Sequence, residues 1–411
     1  MKITCGIDWA EGHHDVALVD SDGRQVAKLR IDTGLSGFTE LMALLAEHTD
    51  DPIGVPVAIE TDKVLLVVAL RAAGLDIYPI NPRAVARYRE RSAQAGGKSD
   101  PGDARVLADV LRTDLHLHRR LPAVSEQGLA VKVLARQHQE AIWARQAAVN
   151  RLRSLLVEYY PGALAAFPVL THRAALTVLA AAPTPAAAMK LTRTRVVTLL
   201  RRCGRGNQPG LAESIVAALH APALRQPGRV EAGFGHAVAA LLAVITTMQA
   251  GVDDLQAAMT AEFEQHDAAE LLRASPGLGP ILAARVLAEI GDDRTRFGTA
   301  QGLRAFAGTA PITKASGRSK VVRTRHVRNR RLADACHWWA FASITKSAGA
   351  REHYDRRRAA GDSHNAALRN LANKLLGRLW WCLANDKPWD EDAAWPRLTT
   401  SLESAAEPVA A

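Results

Sequence analysis

The first 91 residues alternate between short apolar runs and segments with helical spacing, and this alternation constrains the fold more than any other feature. Five apolar runs have the length and composition of β-strands, at residues 2–9, 16–19, 26–31, 55–60 and 75–80. Helical periodicity follows at residues 38–47, 63–73 and 82–91. A turn signal at residues 20–23 predicts a hairpin between the second and third runs. The order β-β-β-α-β-α-β-α predicts a mixed sheet with helices on its faces.

The rest of the chain is predicted to be helical. Two long helices are expected, with small helices and loops in the alanine- and proline-rich stretch between them; their ranges are 129–160, 236–263 and 161–235. Two later apolar helices, 332–348 and 364–384, each carry a tryptophan pair that we expect in the core rather than stacked on bases. The predicted regions are an α/β domain at 1–125, a helical coiled-coil or linker region at 126–270, a mostly helical domain at 271–390 and a flexible tail at 391–411.

The second long helix carries a heptad pattern. Its apolar residues are separated by alternating steps of three and four: Val238, Leu241, Ile245, Met248, Val252, Leu255 and Met259. This spacing is typical of a helix that packs along another helix. Packing against the first long helix of the same chain and coiled-coil pairing of two subunits both fit the pattern.

Charge is distributed unevenly along the chain. The 411 residues carry a formal net charge of +10. Residues 1–125 contain 15 lysines and arginines against 18 acidic residues, whereas residues 310–378 contain 16 against 4. A solvated basic face is the simpler explanation, but this density favours nucleic acid as a partner. The acidic N-terminal region and the basic C-terminal region are therefore expected to have different roles.

The sequence predicts a protein of the reducing cytoplasm. The four cysteines are scattered, and no pair has the spacing of metal ligands. The N-terminus shows no cationic leader before a long apolar core, so we expect no signal peptide. No apolar run approaches the ~20 residues of a membrane span, so no membrane partner is expected.

Four carboxylates are candidates for a metal site at the predicted sheet. Asp8 and Glu60 each end a predicted strand, so they would emerge on one rim if those strands are neighbours. Asp100 and Asp103 are spaced i, i+3 and share one face of a predicted helix. A strand-end hydrogen bond or a helix cap would also explain each residue singly. Clustered carboxylates repel one another without a cation and their oxygens suit Mg²⁺, so we predict a metal site for phosphoryl transfer.

Ser316 is a candidate nucleophile in the basic region. A serine hydroxyl needs a base, a metal or a positive field to become reactive. The cations predicted to bind phosphate around it are Lys314, Arg318, Lys320, Arg323, Arg325 and Arg328. Gly317 would let a DNA backbone approach closely. A loop serine that contacts phosphate without attacking it also fits, and spacing alone does not choose between Ser316 and Ser319.

A glycine-containing turn precedes the basic region. Ser275-Pro-Gly-Leu-Gly-Pro280 is followed by a helical pattern over residues 281–290, as in a helix-hairpin-helix motif. Gly277 and Gly279 would allow tight backbone, and exposed amides at the start of the next helix could hold a phosphate. A plain turn between two helices is the alternative.

Together these motifs resemble the DEDD-type transposases of bacterial insertion sequences, also called bridge-RNA-guided serine recombinases. The resemblance extends over residues 1–385 and rests on the combination of motifs rather than on any single one. The motifs are Gly6-Ile7-Asp8-Trp9-Ala10, Ile59-Glu60, Lys98-Ser99-Asp100-Pro-Gly-Asp103-Ala104, Ser275-Pro-Gly-Leu-Gly-Pro280, and Ala307-Gly-Thr-Ala-Pro311 before Ala315-Ser316-Gly317.

The resemblance implies a ribonuclease-H-like (RuvC-like) N-terminal domain that holds Mg²⁺ or Mn²⁺ through Asp8, Glu60, Asp100 and Asp103. It implies that Ser316 attacks a DNA phosphate to form a covalent phosphoserine. It also implies a structured guide RNA from the same element that pairs with donor and target DNA. Finally, it implies a homo-oligomer, a dimer or a tetramer, in which the acidic domain of one subunit completes the serine site of another.

Two positions depart from that family pattern. Residues 327–331 lack a glycine that relatives often carry, and Glu11 stands where many relatives have a basic residue. Three functions remain open: a DNA recombinase, a metal-dependent nuclease or junction resolvase without a covalent intermediate, and a non-catalytic nucleic-acid-binding protein. The intact carboxylate quartet, Ser316 and the long C-terminal half favour the first. A sugar-kinase-like ATPase is not supported, because the sequence has no Gly-rich phosphate loop.

Overall fold

The chain divides into two compact units, Met1–Ala123 and Val124–Ala411. The computed structural model describes residues 2–92, 100–208, 210–317 and 319–396, and for residues 91, 92, 100, 101, 314 and 320 it describes the backbone alone. Lys98 and Ser99 of the acidic motif, Arg318 and residues 397–411 lie outside the described residues.

The first unit is the mixed α/β domain that the alternating pattern predicts. Its elements are β1 (Ile3–Trp9), β2 (His13–Asp20), β3 (Gln25–Asp32), α1 (Leu35–His48), β4 (Val57–Ile59), α2 (Leu65–Ala72), β5 (Ile77–Pro79), α3 (Pro82–Ser92) and α4 (Asp100–Asp114). The sheet order is β3-β2-β1-β4-β5, with β1, β2 and β3 antiparallel and with β4 and β5 parallel to β1. The predicted mixed sheet is confirmed, including the hairpin between β2 and β3.

Helix α4 packs directly on the central strand β1. The Thr4 hydroxyl donates a hydrogen bond to the Ala108 carbonyl oxygen (3.0 Å), and two residues further along the strand Gly6 lies against Ala104. Later residues of β1 therefore contact earlier residues of α4, so the strand and the helix run in opposite directions. The first turn of α4, which begins at Asp100, consequently lies toward the end of β1 that carries Asp8.

We predict that Gly6→Ala strongly destabilises the first unit. A Cβ at Gly6 would lie 2.0 Å from the Ala104 carbonyl oxygen and 2.4 Å from the Ala108 amide nitrogen, so α4 would have to move away from β1. Such overpacking costs about 3 kcal/mol or more. Denaturant unfolding should therefore show a lower midpoint than wild type. Gly12→Ala is the matched control, because no atom lies within 4 Å of a Cβ built there; equal midpoints for the two variants would contradict the prediction.

In the part that the structure describes, the second unit is helical apart from one hairpin. Its elements are α5 (Glu126–Tyr159), α6 (Pro161–Ala166), α7 (Arg173–Ala181), α8 (Pro185–Ala188), α9 (Arg193–Arg202), α10 (Leu211–His220), α11 (Gly228–Glu264), α12 (Ala269–Arg273), α13 (Pro280–Ile290), α14 (Ala300–Ala307), β6 (Ile312–Ser316), β7 (Ser319–Arg323), α15 (Arg330–Ser343), α16 (Ala348–Ala359), α17 (His364–Asn385) and α18 (Glu391–Ala394). The sequence analysis predicted neither the β6–β7 hairpin nor α16.

The long helices α5 and α11 pack along each other within the chain. Four heptad positions of α11, namely Val238, Ile245, Val252 and Met259, are buried. Packing within the chain, one of the two interpretations of the heptad pattern, thus accounts for them. Contrary to the sequence expectation, α11 is apolar and long enough to span a membrane by composition. A helix packed in a protein core meets the same criterion.

Two hydrophobic cores share these long helices. The middle core contains Val149 of α5 and Ile245 of α11, together with residues of α6 to α10. The C-terminal core contains residues of α12 to α17, and it is completed by the opposite ends of the long helices: Val131, Ala135, Met259 and Phe263. Neither core is therefore built from one continuous stretch of sequence.

Tryptophans contribute to the C-terminal core, as predicted for Trp339 and Trp380 but not for Trp338. The Trp339 indole is buried and donates a hydrogen bond to the Pro276 carbonyl oxygen (3.0 Å). The Trp380 indole donates a hydrogen bond to the Phe297 carbonyl oxygen (2.7 Å). Trp338, in contrast, is 50% exposed.

The tail is ordered further than the sequence predicted. The Glu391 carboxylate accepts a hydrogen bond from the Ser347 hydroxyl, and Trp395 packs on Gly349. These contacts dock α18 on α16, so residues 391–396 of the predicted flexible tail are packed, and residues 397–411 lie outside the described residues.

Candidate active site and nucleic-acid interface

Asp8 and Glu60 lie side by side at one edge of the sheet. β1 and β4 are parallel neighbours with Ile7 opposite Ile59, and each carboxylate belongs to the next residue. Both side chains are half-buried. The prediction that their strands are neighbours is thus confirmed.

The face of the sheet that α4 covers is also the face that bears Asp8. Alternate residues of a strand share a face, and Thr4 and Gly6 both contact α4, so Asp8 projects on that side. In the first turn of α4, Asp103 is only 4% exposed. The side chain of Asp100 lies outside the described residues, although its backbone begins the same helix.

Asp103 has a cationic partner that the sequence analysis missed. Its carboxylate accepts a hydrogen bond from the Arg89 Nε of α3 (2.7 Å). The arginine-rich composition of residues 82–91 is a signal that a cation would lie near the acidic motif, but no spacing rule selects Arg89. One of the four proposed ligands is therefore already engaged by a positive charge.

The donor chemistry at the rim is that of a divalent-metal site. In the ranges that the structure describes, no three acidic, histidine or cysteine side chains are close enough to hold a metal ion. Mg²⁺ is commonly bound through one or two carboxylates, with waters and substrate phosphates completing its shell. Asp8 and Glu60, adjacent on parallel strands, fit that requirement.

Ser316 and Ser319 face each other across a two-residue turn. Ser316 ends β6, Ser319 begins β7, and the two residues are paired in the hairpin. Gly317 in the turn has a φ of +54°, the left-handed conformation that favours glycine. Both serines are exposed. Both candidate nucleophiles are thus presented at the tip of one hairpin, where a large substrate can reach them.

Positive charge continues from the hairpin toward α15. Arg323 ends β7 and is exposed, as is Arg328, whose side chain lies across Gly308 and donates to the Arg325 carbonyl oxygen (3.4 Å). Across the described residues, none of these three arginines pairs with a carboxylate. The side chains of Lys314 and Lys320 lie outside the described part of the chain. Uncompensated arginines at this surface would attract phosphate.

The turn between α12 and α13 is partly packed inside the unit. Gly277 lies against the backbone of Ser343 at the end of α15, so a side chain there would clash. Gly279 is exposed and precedes the first residue of α13. Of the two predicted phosphate-binding glycines, Gly279 is thus at an accessible helix start, while Gly277 packs against another helix.

A buried network of charged side chains joins α5, α13 and α15 beneath the arginines. The Glu289 carboxylate, 3% exposed, accepts hydrogen bonds from the Arg136 guanidinium (2.8 and 3.0 Å) and the Asn329 amide (2.6 Å). Burial alone would raise the pKa of Glu289, but these hydrogen bonds outweigh it and lower the pKa below its ordinary value. Asn329 also caps α15 by accepting from the Leu332 amide (2.9 Å). The network therefore fixes the backbone between the arginines at 328 and 330.

Buried His138 of α5, next to Arg285 of α13, predicts a pH-dependent stability. Burial, and then the charges of Arg285 and Arg145, lower the pKa of His138 to about 4. Between pH 6.5 and 4 the unfolded chain takes up a proton at this residue and the folded chain does not, so stability falls as the pH falls. The thermal midpoint should thus drop between pH 7 and 5, with a shallower drop for His138→Gln. His236→Gln, at an exposed histidine, should keep the wild-type slope; a wild-type slope for His138→Gln would refute the assignment.

Two family models match two separate ranges of the chain, and the first range continues past the first unit through α5. The model named DEDD_Tnp_IS110, described as transposase, matches residues 5–161. The model described as "Transposase IS116/IS110/IS902 family" matches residues 269–355. These matches contain Asp8, Glu60, Asp100 and Asp103 in the first part and Ser316 in the second.

Proteins with similar sequences align with two thirds or more of the chain. The protein named "Mini-circle putative transposase for IS117" of Streptomyces coelicolor is 48% identical over 412 aligned positions, covering 99% of each chain. The IS900 42 kDa protein of Mycobacterium paratuberculosis is 28% identical, covering 92% of this chain and 94% of its own. The IS110 43.6 kDa protein of S. coelicolor is 33% identical over 69% of this chain and 70% of its own. With the ribonuclease-H-like sheet and the matched models, these similarities show that the chain belongs to the IS116/IS110/IS902 family of transposases, enzymes that cut and rejoin DNA.

Proposed function

We propose that this transposase moves its insertion sequence by serine attack on a DNA phosphate. The observation that carries the proposal is the exposed Ser316 at the tip of the β6–β7 hairpin, in a surface rich in unpaired arginines. In the first step, the Ser316 Oγ bonds to phosphorus while the P–O3′ bond breaks. The hydroxyl proton passes to the leaving oxygen, which becomes a free 3′-hydroxyl.

The second step would reverse the first on a different strand. A 3′-hydroxyl of that strand attacks the phosphoserine, the P–Oγ bond breaks, and the proton returns to Ser316. One phosphodiester is exchanged for another, so no external energy source or oxidant is required. Arg323, Arg325 and Arg328 would hold the phosphates and offset the charge that grows during transfer.

The DEDD-type domain implies a divalent metal, and we propose Mg²⁺, with Mn²⁺ as a substitute. Asp8, Glu60, Asp100 and Asp103 would hold it at the sheet rim. When bound, it supplies charge stabilisation for the attacking and leaving oxygens. The Arg89 guanidinium would hold the Asp103 carboxylate in its orientation while DNA is absent.

We also propose a structured guide RNA and a homo-oligomer as partners, in the cytoplasm and without a membrane. The family resemblance supports the RNA. Three heptad positions of α11, Leu241, Met248 and Leu255, remain half-buried after packing on α5, and this supports a further helix contact between subunits in a dimer or tetramer. Gly279, exposed before α13, would contact a DNA phosphate as in a helix-hairpin-helix turn.

A covalent-adduct assay tests the proposed chemistry. Purified protein is incubated with Mg²⁺, the non-coding RNA that flanks the element and labelled DNA spanning the element's end, then denatured and run on a gel. We expect a protein–DNA band that disappears with a chelator. Cut DNA without a covalent protein–DNA band would favour a hydrolytic nuclease that uses the same carboxylates. Uncut DNA in the presence of all components would contradict both the serine recombinase and the nuclease.

A further inference from the structure

A basic pocket lies beside the hairpin, and we infer that it binds a backbone phosphate of the DNA strand that Ser316 attacks. This inference rests on the proposed function and adds a second contact to it. The pocket has a volume of about 550 Å³. It is lined by Ala307, Gly308 and Thr309 at the end of α14, by Arg328 just before α15, and by residues of α5, α15 and α17: Trp143, Arg330, His337, Asn365 and Arg369.

The charge of this pocket is positive and uncompensated. Arg330 is exposed and Arg369 is half-buried, and neither pairs with a carboxylate anywhere in the described ranges. One acidic residue, Asp334, belongs to the lining. Its carboxylate already accepts a hydrogen bond from Gln139 (2.8 Å) and lies 3.7 Å from the Arg285 guanidinium. The pocket therefore selects an anion, and the fork of an arginine matches phosphate oxygens in particular.

The walls of the pocket are fixed before any ligand arrives. Asn329, between two of the lining arginines, is held by buried Glu289 and caps α15. Across the pocket, the Thr309 hydroxyl donates to the Asn373 side-chain oxygen of α17 (3.2 Å). Because the backbone that carries these arginines is already ordered, binding a phosphate does not require ordering a loop, which lowers the entropic cost.

The pocket lies close enough to Ser316 for one DNA strand to contact both. Thr309 lines the pocket, and Ser316 follows it by seven residues, which can span at most ~25 Å. That distance is less than one turn of duplex DNA, ~34 Å. We therefore assign the phosphate to the DNA under attack rather than to an RNA.

Salt-dependent DNA binding by arginine variants tests the inference. Binding of full-length protein to a labelled duplex of the element's end is measured by fluorescence anisotropy from 50 to 300 mM salt. The double variant Arg330→Gln/Arg369→Gln should bind about tenfold more weakly, with a salt slope smaller by about one to two units. Arg229→Gln is the matched control, since Arg229 is exposed on α11 away from the pocket, and it should stay close to wild type.

Further variants separate the possible outcomes. Arg369→Lys keeps the charge but not the fork, so it should preserve the salt slope while losing part of the affinity. If the double variant has the same salt slope as Arg229→Gln and still forms the covalent adduct, the pocket assignment is wrong. The proposed function is then unaffected. If the double variant lowers the salt slope for binding to the flanking RNA but not for binding to the DNA duplex, the pocket would be assigned to RNA. Wild-type protein without salt-dependent DNA binding would count against the proposed function itself.

Discussion

Ser316→Ala is expected to abolish the covalent protein–DNA adduct, because alanine has no oxygen to bond to phosphorus. DNA binding should stay within about twofold of wild type, since the hairpin position is exposed and carries no charge. Ser319→Ala is a closely matched control, because Ser319 is the direct partner of Ser316 across the turn. It should still form the adduct. The measurement is the labelled band on a denaturing gel.

Two other patterns would change the assignment. If the adduct still forms in Ser316→Ala and is lost in Ser319→Ala, then Ser319 is the nucleophile of the same reaction. DNA cleavage that continues in both variants without any adduct would mean that water is the nucleophile and that the hairpin only binds phosphate.

Asp8→Asn and Glu60→Gln are expected to reduce DNA cleavage by about 10³-fold or more with little change in DNA affinity. Each substitution keeps the shape of the side chain but removes the charge that would hold a divalent metal at the sheet rim. Initial cleavage rates over a series of Mg²⁺ concentrations provide the measurement. Glu47→Gln, on the exposed surface of α1, is the matched control and should cleave as wild type does.

A normal cleavage rate in either rim variant would exclude that carboxylate from the catalytic site. Asp103→Asn is a less direct test, because it also leaves the Arg89 guanidinium without its partner. A loss of activity in that variant would have to be compared with Arg89→Gln, which removes the ion pair and keeps the carboxylate.

The fold of the first unit was predictable because its signals are local. Strand length, helix periodicity and the turn before Gly23 determine the element order, and the ends of two strands place Asp8 and Glu60 at one rim. The contact between Gly6 and α4 was not predictable, because the two are about a hundred residues apart in sequence.

The surroundings of Ser316 were less predictable for the same reason. A polar, exposed hairpin has no apolar alternation on which a strand prediction could rest. The network of Arg136 with Glu289 and the pocket between α5, α15 and α17 depend on residues separated by more than 150 positions. Composition indicated a basic region but could not identify which arginines share a cavity.

The two cores that share α5 and α11 have a consequence for how this protein could be divided or recombined. A fragment containing only residues 271–390 would lack Val131, Ala135, Met259 and Phe263, and the C-terminal core would be left open. The serine-bearing part is therefore not an exchangeable cassette. To be transplanted into another protein, it would have to bring with it the first turns of α5 and the last turns of α11.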